Sequence, residues 1–332
     1  GLRAAGRPRG AAEAPCAAKV DGEYAFGQVV ANFATRVAVV ANVVDAAHDA
    51  AVEADGTVWT WGQNIYGEVG DGTTTPRTSP GLVAGLPPIR AVAGDGTYGL
   101  ALARDGTVWS WGNNASGQLG DGTTTQRLRP VQVQGMTDAV AVAVGAPQCT
   151  RETKPPWAYH CGPVALSVAL RKDGTVWAWG ANGWGQLGDG TKVQRPAPVQ
   201  VAGLSGVTAV AAGGAFTLAL KADGTVWAWG VNGRGQLGDG TTADRLQPVQ
   251  VSGLPPVAAV ADGDHHALAL DRAGAVHLLA HDLHPLLRRE QRTFADVPRD
   301  ADDQAIHQLG RSQDDVGVPV GDGIEGAGID PD

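Results

Sequence analysis

The sequence predicts an all-β fold, a β-propeller built from four-stranded antiparallel blades. The main observation is a repeated phrase, DGTVWxWG, which is followed each time by a glycine-rich run ending in GDGT. Its four copies begin at Asp55, Asp105, Asp173 and Asp223, so two of the three intervals are 50 residues long and the middle one is 68. A fixed period of this length is typical of supersecondary units that are stacked or arranged around an axis.

Each unit is predicted to contain four short strands. In the last unit three of them are residues 248–251, 257–261 and 267–270, and the fourth strand of a unit is the TVWxWG run. Asp-Gly precedes that run and follows another short apolar run, an arrangement that favours a hairpin. Alternation places Trp227 and Trp229 on one face of the strand and the apolar Val226 and Ala228 on the other. A strand with two apolar faces is expected between two neighbouring sheets.

Eight tryptophans recur at fixed places in the four phrases and are predicted to form the structural core between blades. They are Trp59, Trp61, Trp109, Trp111, Trp177, Trp179, Trp227 and Trp229.

The longer pattern DGTVWxWGxNxxGQLGDGTxxxRxxPxxVxGL resembles the regulator of chromosome condensation repeat, in the form common among bacterial proteins, over residues 39–276. This resemblance implies a propeller, typically with seven blades. It also implies a range of functions, because the eukaryotic founder is a nucleotide exchange factor that sits on chromatin and a bacterial relative is a secreted inhibitor of β-lactamases. Only four full phrases are present, so we expect an incomplete ring of about four to five blades.

The two ends of the chain lack the repeat and are predicted to be disordered. Residues 1–38 show no glycine-rich loop, and residues 277–332 form an acidic tail that begins where a TVWxWG run breaks off. A truncated or frame-shifted chain would explain both ends. The longest apolar stretch, residues 37–52, is interrupted by Asp45, which argues against a membrane span.

The charge distribution argues against nucleic acid as a partner. The net charge is −9, and residues 55–272 hold 15 basic and 16 acidic residues. A near-neutral repeat region lacks the positive surface that binds a phosphate backbone. The expected partner is therefore an unidentified protein, and the open edges of terminal blades also favour self-association.

An insertion at about residues 146–163 separates the second and third phrases. Cys149 and Cys161 bracket it, and it carries Trp157 and Tyr159. A disulfide-closed loop that presents its aromatic residues to a partner is one interpretation. Two free thiols in a tolerated surface insertion, or a zinc site that adds His160 but lacks a fourth ligand, are the alternatives.

The last variable position of the GxNxxG segment in the glycine-rich loop differs in every repeat. It holds Tyr66, Ser116, Trp184 and Arg234 in the four units. Because a requirement of the fold would have kept one residue type, the variation predicts a binding surface. Tyr, Trp and Arg are also enriched at binding hot spots.

The sequence contains little that indicates catalysis, a cofactor or a metal. The GQLGDGT loops lack the Lys-Ser/Thr ending of a phosphate-binding loop. Each loop carries one aspartate in a Gly-Asp-Gly turn, which favours turn formation over calcium binding. These four aspartates are Asp71, Asp121, Asp189 and Asp239. A zinc cluster of His277, His281 and His284 is the weakest alternative.

The sequence therefore favours a non-catalytic protein–protein interaction scaffold that uses its blade loops. Two alternatives stay open: a guanine nucleotide exchange factor for a small GTPase, and an enzyme with a site in the propeller channel. The resemblance to bacterial repeat proteins suggests an extracellular or cell-surface location, with the cytoplasm as the alternative.

Overall fold

The computed structural model describes residues 37–41, 48–94, 96–145, 149–151, 159–161, 165–263 and 266–279. These residues form 21 strands. Most of the predicted N-terminal segment and nearly all of the predicted tail lie outside this part of the chain. Within it, no helix is long and apolar enough to cross a lipid bilayer.

The strands form five antiparallel sheets, which we call blades one to five in chain order, and one separate hairpin. Blade one contains β1 (Val37–Ala41), β2 (His48–Glu53), β3 (Val58–Gly62) and β4 (Arg77–Leu82). Blade two contains β5 (Ile89–Gly94), β6 (Tyr98–Ala103), β7 (Val108–Gly112) and β8 (Arg127–Gln132). Blade three contains β9 (Ala139–Gly145), β12 (Leu166–Arg171), β13 (Val176–Gly180) and β14 (Arg195–Gln200). Its insertion forms the separate hairpin of β10 (Cys149–Arg151) and β11 (Tyr159–Cys161).

Blade four contains β15 (Val207–Ala212), β16 (Phe216–Lys221), β17 (Val226–Gly230) and β18 (Arg245–Gln250). Blade five has three described strands, β19 (Val257–Asp262), β20 (Ala267–Asp271) and β21 (Val276–Leu279). The predicted all-β architecture of four-stranded antiparallel blades is confirmed.

The Asp-Gly sequences close the hairpins between the second and third strands, as predicted. In blade four, Gly224 has a φ of 86°, a backbone conformation that favours glycine. Asp223 Oδ1 accepts hydrogen bonds from both the backbone N–H and the hydroxyl of Thr225, at 2.9 and 2.7 Å. This Asx-turn fixes the register in which Phe216–Lys221 pairs with Val226–Gly230.

The core lies between the blades, because each sheet is apolar on both faces. On β17, Val226 and Ala228 pack with Val257 and Ala267 of blade five. The opposite face of the same strand carries Trp229, which packs in the core formed with blade three. The alternation predicted from the sequence is therefore confirmed.

The prediction that all eight tryptophans are core residues is only partly correct. Trp111, Trp179 and Trp229 are fully buried, whereas the first tryptophan of each pair and Trp61 are only partly buried. In three blades the first tryptophan donates its Nε1–H to a threonine hydroxyl two residues earlier, at 3.1–3.2 Å. The five partly buried tryptophans are Trp59, Trp61, Trp109, Trp177 and Trp227.

The blades follow one another as an arc in chain order. The first strands of consecutive blades contact each other, from β1 to β5, β9, β15 and β19. Among the described strands, no comparably extensive contact joins blade one to blade five. This arrangement agrees with the predicted incomplete ring of four to five blades.

Candidate functional site

The glycine-rich loop between the third and fourth strands is held by a buried asparagine. In blade three, Asn182 Oδ1 accepts a hydrogen bond from Leu187 N at 3.0 Å. Its Nδ2 donates to the carbonyl oxygens of Thr191 and Val193, both at 3.1 Å. The asparagines of the other three blades make the corresponding bonds. These bonds from one buried side chain hold three backbone groups of the loop and make it a rigid frame.

The repeated aspartate is bound inside the same loop. Asp189 Oδ1 accepts hydrogen bonds from Thr191 N and Oγ1 at 2.9 and 2.7 Å, and its Oδ2 lies 2.8 Å from Arg195 Nη2. Burial raises the pKa of Asp189, but the hydrogen bonds from Thr191 and Arg195 outweigh this effect and hold the pKa below its ordinary value. The equivalent aspartates Asp71, Asp121 and Asp239 are paired with arginines in the same way. These contacts agree with the predicted role in turn formation.

A buried residue links each of the first three loops to the next blade; it is Glu68, Gln118 or Gln186. The main-chain oxygen of Gln186 accepts hydrogen bonds from Trp229 Nε1 at 2.9 Å and from Thr217 Oγ1 at 3.0 Å. Its side-chain Oε1 accepts the backbone N–H of Trp184 at 2.9 Å. Gly188 must be a glycine here, because a Cβ would lie 2.8 Å from the indole nitrogen of Trp229. These roles of Asn and Gln were not predicted, although the recurrence of both residues in GxNxxGQLGDGT was their signal.

The variable loop position presents three of its four side chains to solvent. Tyr66 is 40% exposed, Trp184 is 46% exposed, and Arg234 is also exposed. Ser116 departs from the expectation, since it is only 5% exposed. We call the exposed side chains of Tyr66, Trp184 and Arg234 the variable rim. In all four loops the backbone N–H at this position is held by the side chain two residues later, at 2.8–2.9 Å.

Two further apolar side chains in these loops are exposed, and neither was predicted as part of the site. Ile65, beside Tyr66, is 55% exposed, and Val193, in the same loop as Trp184, is 57% exposed. They occupy positions where the other repeats hold small or polar residues, so comparison of the repeats would have found them.

The insertion places its two cysteines at opposite positions of a hairpin. Cys149 on β10 pairs with Cys161 on β11, and Arg151 pairs with Tyr159. The predicted disulfide stays a prediction, because the structure describes the backbone of this hairpin and not its side chains. Trp157 lies outside the described residues, as do the histidines His281 and His284 of the alternative zinc cluster.

Comparison with known proteins identifies the repeat. A family model described as the regulator of chromosome condensation (RCC1) repeat matches residues 55–102, 105–149, 173–220 and 223–270, together more than half of the chain. The chain belongs to the regulator of chromosome condensation repeat family. A second model of this repeat matches residues 207–236.

The RCC1-repeat chain is similar to part of a much larger protein. It is 36% identical over 174 residues to the human E3 ubiquitin-protein ligase HERC2 and to its mouse counterpart. The match includes 50% of this chain and spans only 3% of the length of those relatives.

Solved structures show the same fold. Human WBSCR16 matches with a TM-score of 0.61 and 25% identity, over 73% of this chain and 60% of that one. Yeast RCC1 (Prp20), solved in complex with Kap60, matches with a TM-score of 0.57 and 22% identity, over 70% of this chain and 53% of that one. A second structure of Prp20p from Saccharomyces cerevisiae gives a TM-score of 0.56.

Proposed function

We propose that the protein is a non-catalytic scaffold that binds a protein partner through the variable rim, formed by Tyr66, Trp184 and Arg234. The observation that carries this proposal is that the backbone and the side chain of the variable position have different roles in each loop. The backbone at the variable position is fixed by a buried side chain, while the side chain at that position is exposed and differs from blade to blade. A constant frame with a changing exposed residue is the arrangement expected of a recognition surface.

The physical properties of the rim suit protein binding. Tyrosine and tryptophan bury a large area on binding and lose little conformational entropy, because each has only two side-chain torsions. The rigid loop lowers the cost further, since its backbone is already ordered before the partner arrives. An exposed arginine adds a planar donor for a carboxylate or carbonyl of the partner.

The similar solved structures point in the same direction. Yeast RCC1 (Prp20) was solved bound to Kap60, and Prp20p has binding properties toward Gsp1p and histones. Both structures are of the same yeast protein, and the partners named for it, Kap60, Gsp1p and histones, are all proteins.

The test begins with capture of a partner from the native source on the full chain, followed by measurement of its affinity for purified variants. We expect the triple variant Tyr66→Ala, Trp184→Ala and Arg234→Ala to lose at least about tenfold in affinity. Leu82→Ala is the matched control, because Leu82 is 48% exposed on β4 but lies outside the loop. Unchanged binding by the triple variant, or salt-sensitive retention of the protein on DNA, would contradict the proposal.

A further inference from the structure

The glycine-rich loops of blades three and four differ in charge from those of blades one and two. In loops 181–195 and 231–245, aspartates Asp189 and Asp239 are paired with arginines of the same loops, at 2.8 and 2.6 Å. Lys192 and Arg234 are exposed and form no ion pair with another described residue.

The remaining carboxylate of these two loops, Asp244, keeps its negative charge, because its hydrogen-bond partner is a neutral backbone group. Asp244 Oδ1 accepts the backbone N–H of Asn232 at 2.9 Å and thereby fixes the start of its loop. In the first two loops the charge left after pairing is negative instead, and it belongs to Glu68, which is buried and accepts the N–H of Tyr66 at 2.8 Å. Residues 181–195 and 231–245 together carry a net charge of +1, whereas residues 63–77 and 113–127 carry −1. On a chain whose net charge is −9, the loops of blades three and four are therefore locally positive and present two unpaired cations.

This positive surface is continuous with exposed apolar side chains. Trp184 and Val193 lie in the loop that also carries Lys192. That loop packs directly on blade four: Gly190 N donates to Leu246 O at 2.9 Å, and a Cβ at Gly185 would lie 2.8 Å from Leu246 Cα. The two loops thus adjoin through the outer strand of blade four.

We propose that Trp184, Lys192, Val193 and Arg234 bind an acidic segment of the protein partner that also carries apolar side chains. This inference rests on the proposed function and names the chemistry of the partner. Carboxylates of the segment would form charge-assisted hydrogen bonds with the guanidinium and ammonium groups. An apolar side chain between them would bury its surface against Trp184 and Val193.

A peptide fits this surface better than a nucleic acid. Two cations and one indole suffice for a few carboxylates, whereas binding of a phosphate backbone relies on many neutralised charges and is opposed by a net negative protein. The exposed valine adds apolar surface that a phosphate backbone would leave unused.

The test uses two fluorescent heptapeptides with the full chain, Glu-Glu-Leu-Glu-Phe-Glu-Glu and the version in which every Glu is Gln. We expect the acidic peptide to bind at least about tenfold more tightly than the neutral one. The double variant Lys192→Glu and Arg234→Glu should lose that preference, and Trp184→Ala should weaken the binding of the acidic peptide. Leu82→Ala should bind like the wild type.

Two results with these probes would overturn the inference. One is equal binding of the two peptides, or none, by the wild-type chain. The other is binding of a single-stranded oligonucleotide that competes with the acidic peptide and exceeds it in affinity, which would make the surface a nucleic-acid site. A captured partner whose affinity falls with the rim alanine variant but not with Lys192→Glu would also overturn this inference, while leaving the proposed function intact.

Discussion

The same tryptophan of the repeat has two different environments in blade four and in blade one. Trp229 of blade four is fully buried, and its indole donates to the main-chain oxygen of Gln186 in blade three. Trp61 of blade one occupies the same strand position but is only partly buried, and it lies opposite Asp49 on the neighbouring strand. A preceding blade, and not the strand by itself, therefore completes the burial of this tryptophan.

In blade five the preceding blade is present, but the tryptophan itself is missing. Leu279 stands where blades two to four have a tryptophan, and it packs on the loop of blade four. A Cβ at Gly238 would lie 3.5 Å from Leu279, whereas at Gly188 it would lie 2.8 Å from Trp229. The interface between blades four and five is therefore looser than that between blades three and four.

The largest effect on stability is expected from removing an indole that is buried between two blades. Trp179→Ala or Trp229→Ala should lower the free energy of unfolding by roughly 3–5 kcal/mol, because each removes a fully buried indole and leaves a cavity. Trp61→Ala should cost clearly less, on the order of 1–2 kcal/mol, since its indole is already partly solvated. Urea melts of the three variants give the comparison, and equal losses would show that the neighbouring blade is not what matters.

A second effect is expected from pH, in blade one. His48 is 2% exposed, its Nδ1 has no hydrogen-bond partner in the described part of the chain, and burial lowers its pKa to about 4. Because the folded-state pKa lies below the unfolded value of 6.5, the unfolded chain takes up a proton first as the pH falls. Stability is thus fully present above pH ~6.5 and should decline by roughly 3 kcal/mol on approach to pH ~4.

His48→Phe is the matched variant for this effect. Tyr98, Leu166 and Phe216 begin the equivalent strands of blades two to four, so the site accepts a large apolar side chain. Melts at several pH values should show a smaller loss of stability between pH ~6.5 and ~4 for the variant than for the wild type. The same slope in both proteins would show that other groups, such as the paired aspartates, dominate in that range.

A smaller gain is expected from completing the interface of blade five. Leu279→Trp should raise the free energy of unfolding by about 1 kcal/mol, because the indole would restore a donor and apolar contact at this position. Thermal melting compared with Leu279→Met, a substitution that conserves side-chain size and adds no donor, measures the gain. Destabilisation by the tryptophan would mean that the space beside Gly238 is too small for an indole.

The smallest effect on stability is expected at the rim. Trp184→Ala should change the free energy of unfolding by only about 0.5 kcal/mol or less, because the side chain is exposed and its backbone bond to Gln186 is retained. The measurement is a urea melt beside Trp179→Ala. A loss similar to that of the core variant would place Trp184 in the structural interior and remove it from the binding surface.

The strands and hairpins were predictable from the sequence because their signals are local. Alternation in TVWAW and the Asp-Gly turn determine both faces of β17 and its pairing with β16. The burial of individual side chains was less predictable, because it depends on the neighbouring blade. Trp61 and Trp229 have similar local sequences and differ in what packs against them.

The candidate site was predictable in position but not in every member. Comparison of repeats located Tyr66, Trp184 and Arg234, which the structure exposes. It could not show that Ser116 is buried, because the exposure of a side chain this short depends on the loop around it and not on its residue type. The charge difference between the loops of blades one and two and those of blades three and four was not predicted. The repeated Asp–Arg pairs contribute nothing to it, because all four loops contain the same pair.

Partner binding by the rim and folding by the inter-blade core should be separable, and one measurement addresses both. It is the urea midpoint of the wild type and of the Tyr66, Trp184 and Arg234 triple alanine variant, each with and without the captured partner. A partner that binds only the folded state stabilises it by about 2.7 kcal/mol at a hundredfold excess over its Kd. We expect equal midpoints for the two proteins alone and a clearly smaller partner-induced increase in the triple variant, since a tenfold loss of affinity lowers the stabilisation to about 1.4 kcal/mol. The same increase in the triple variant would show that the partner binds elsewhere on the molecule.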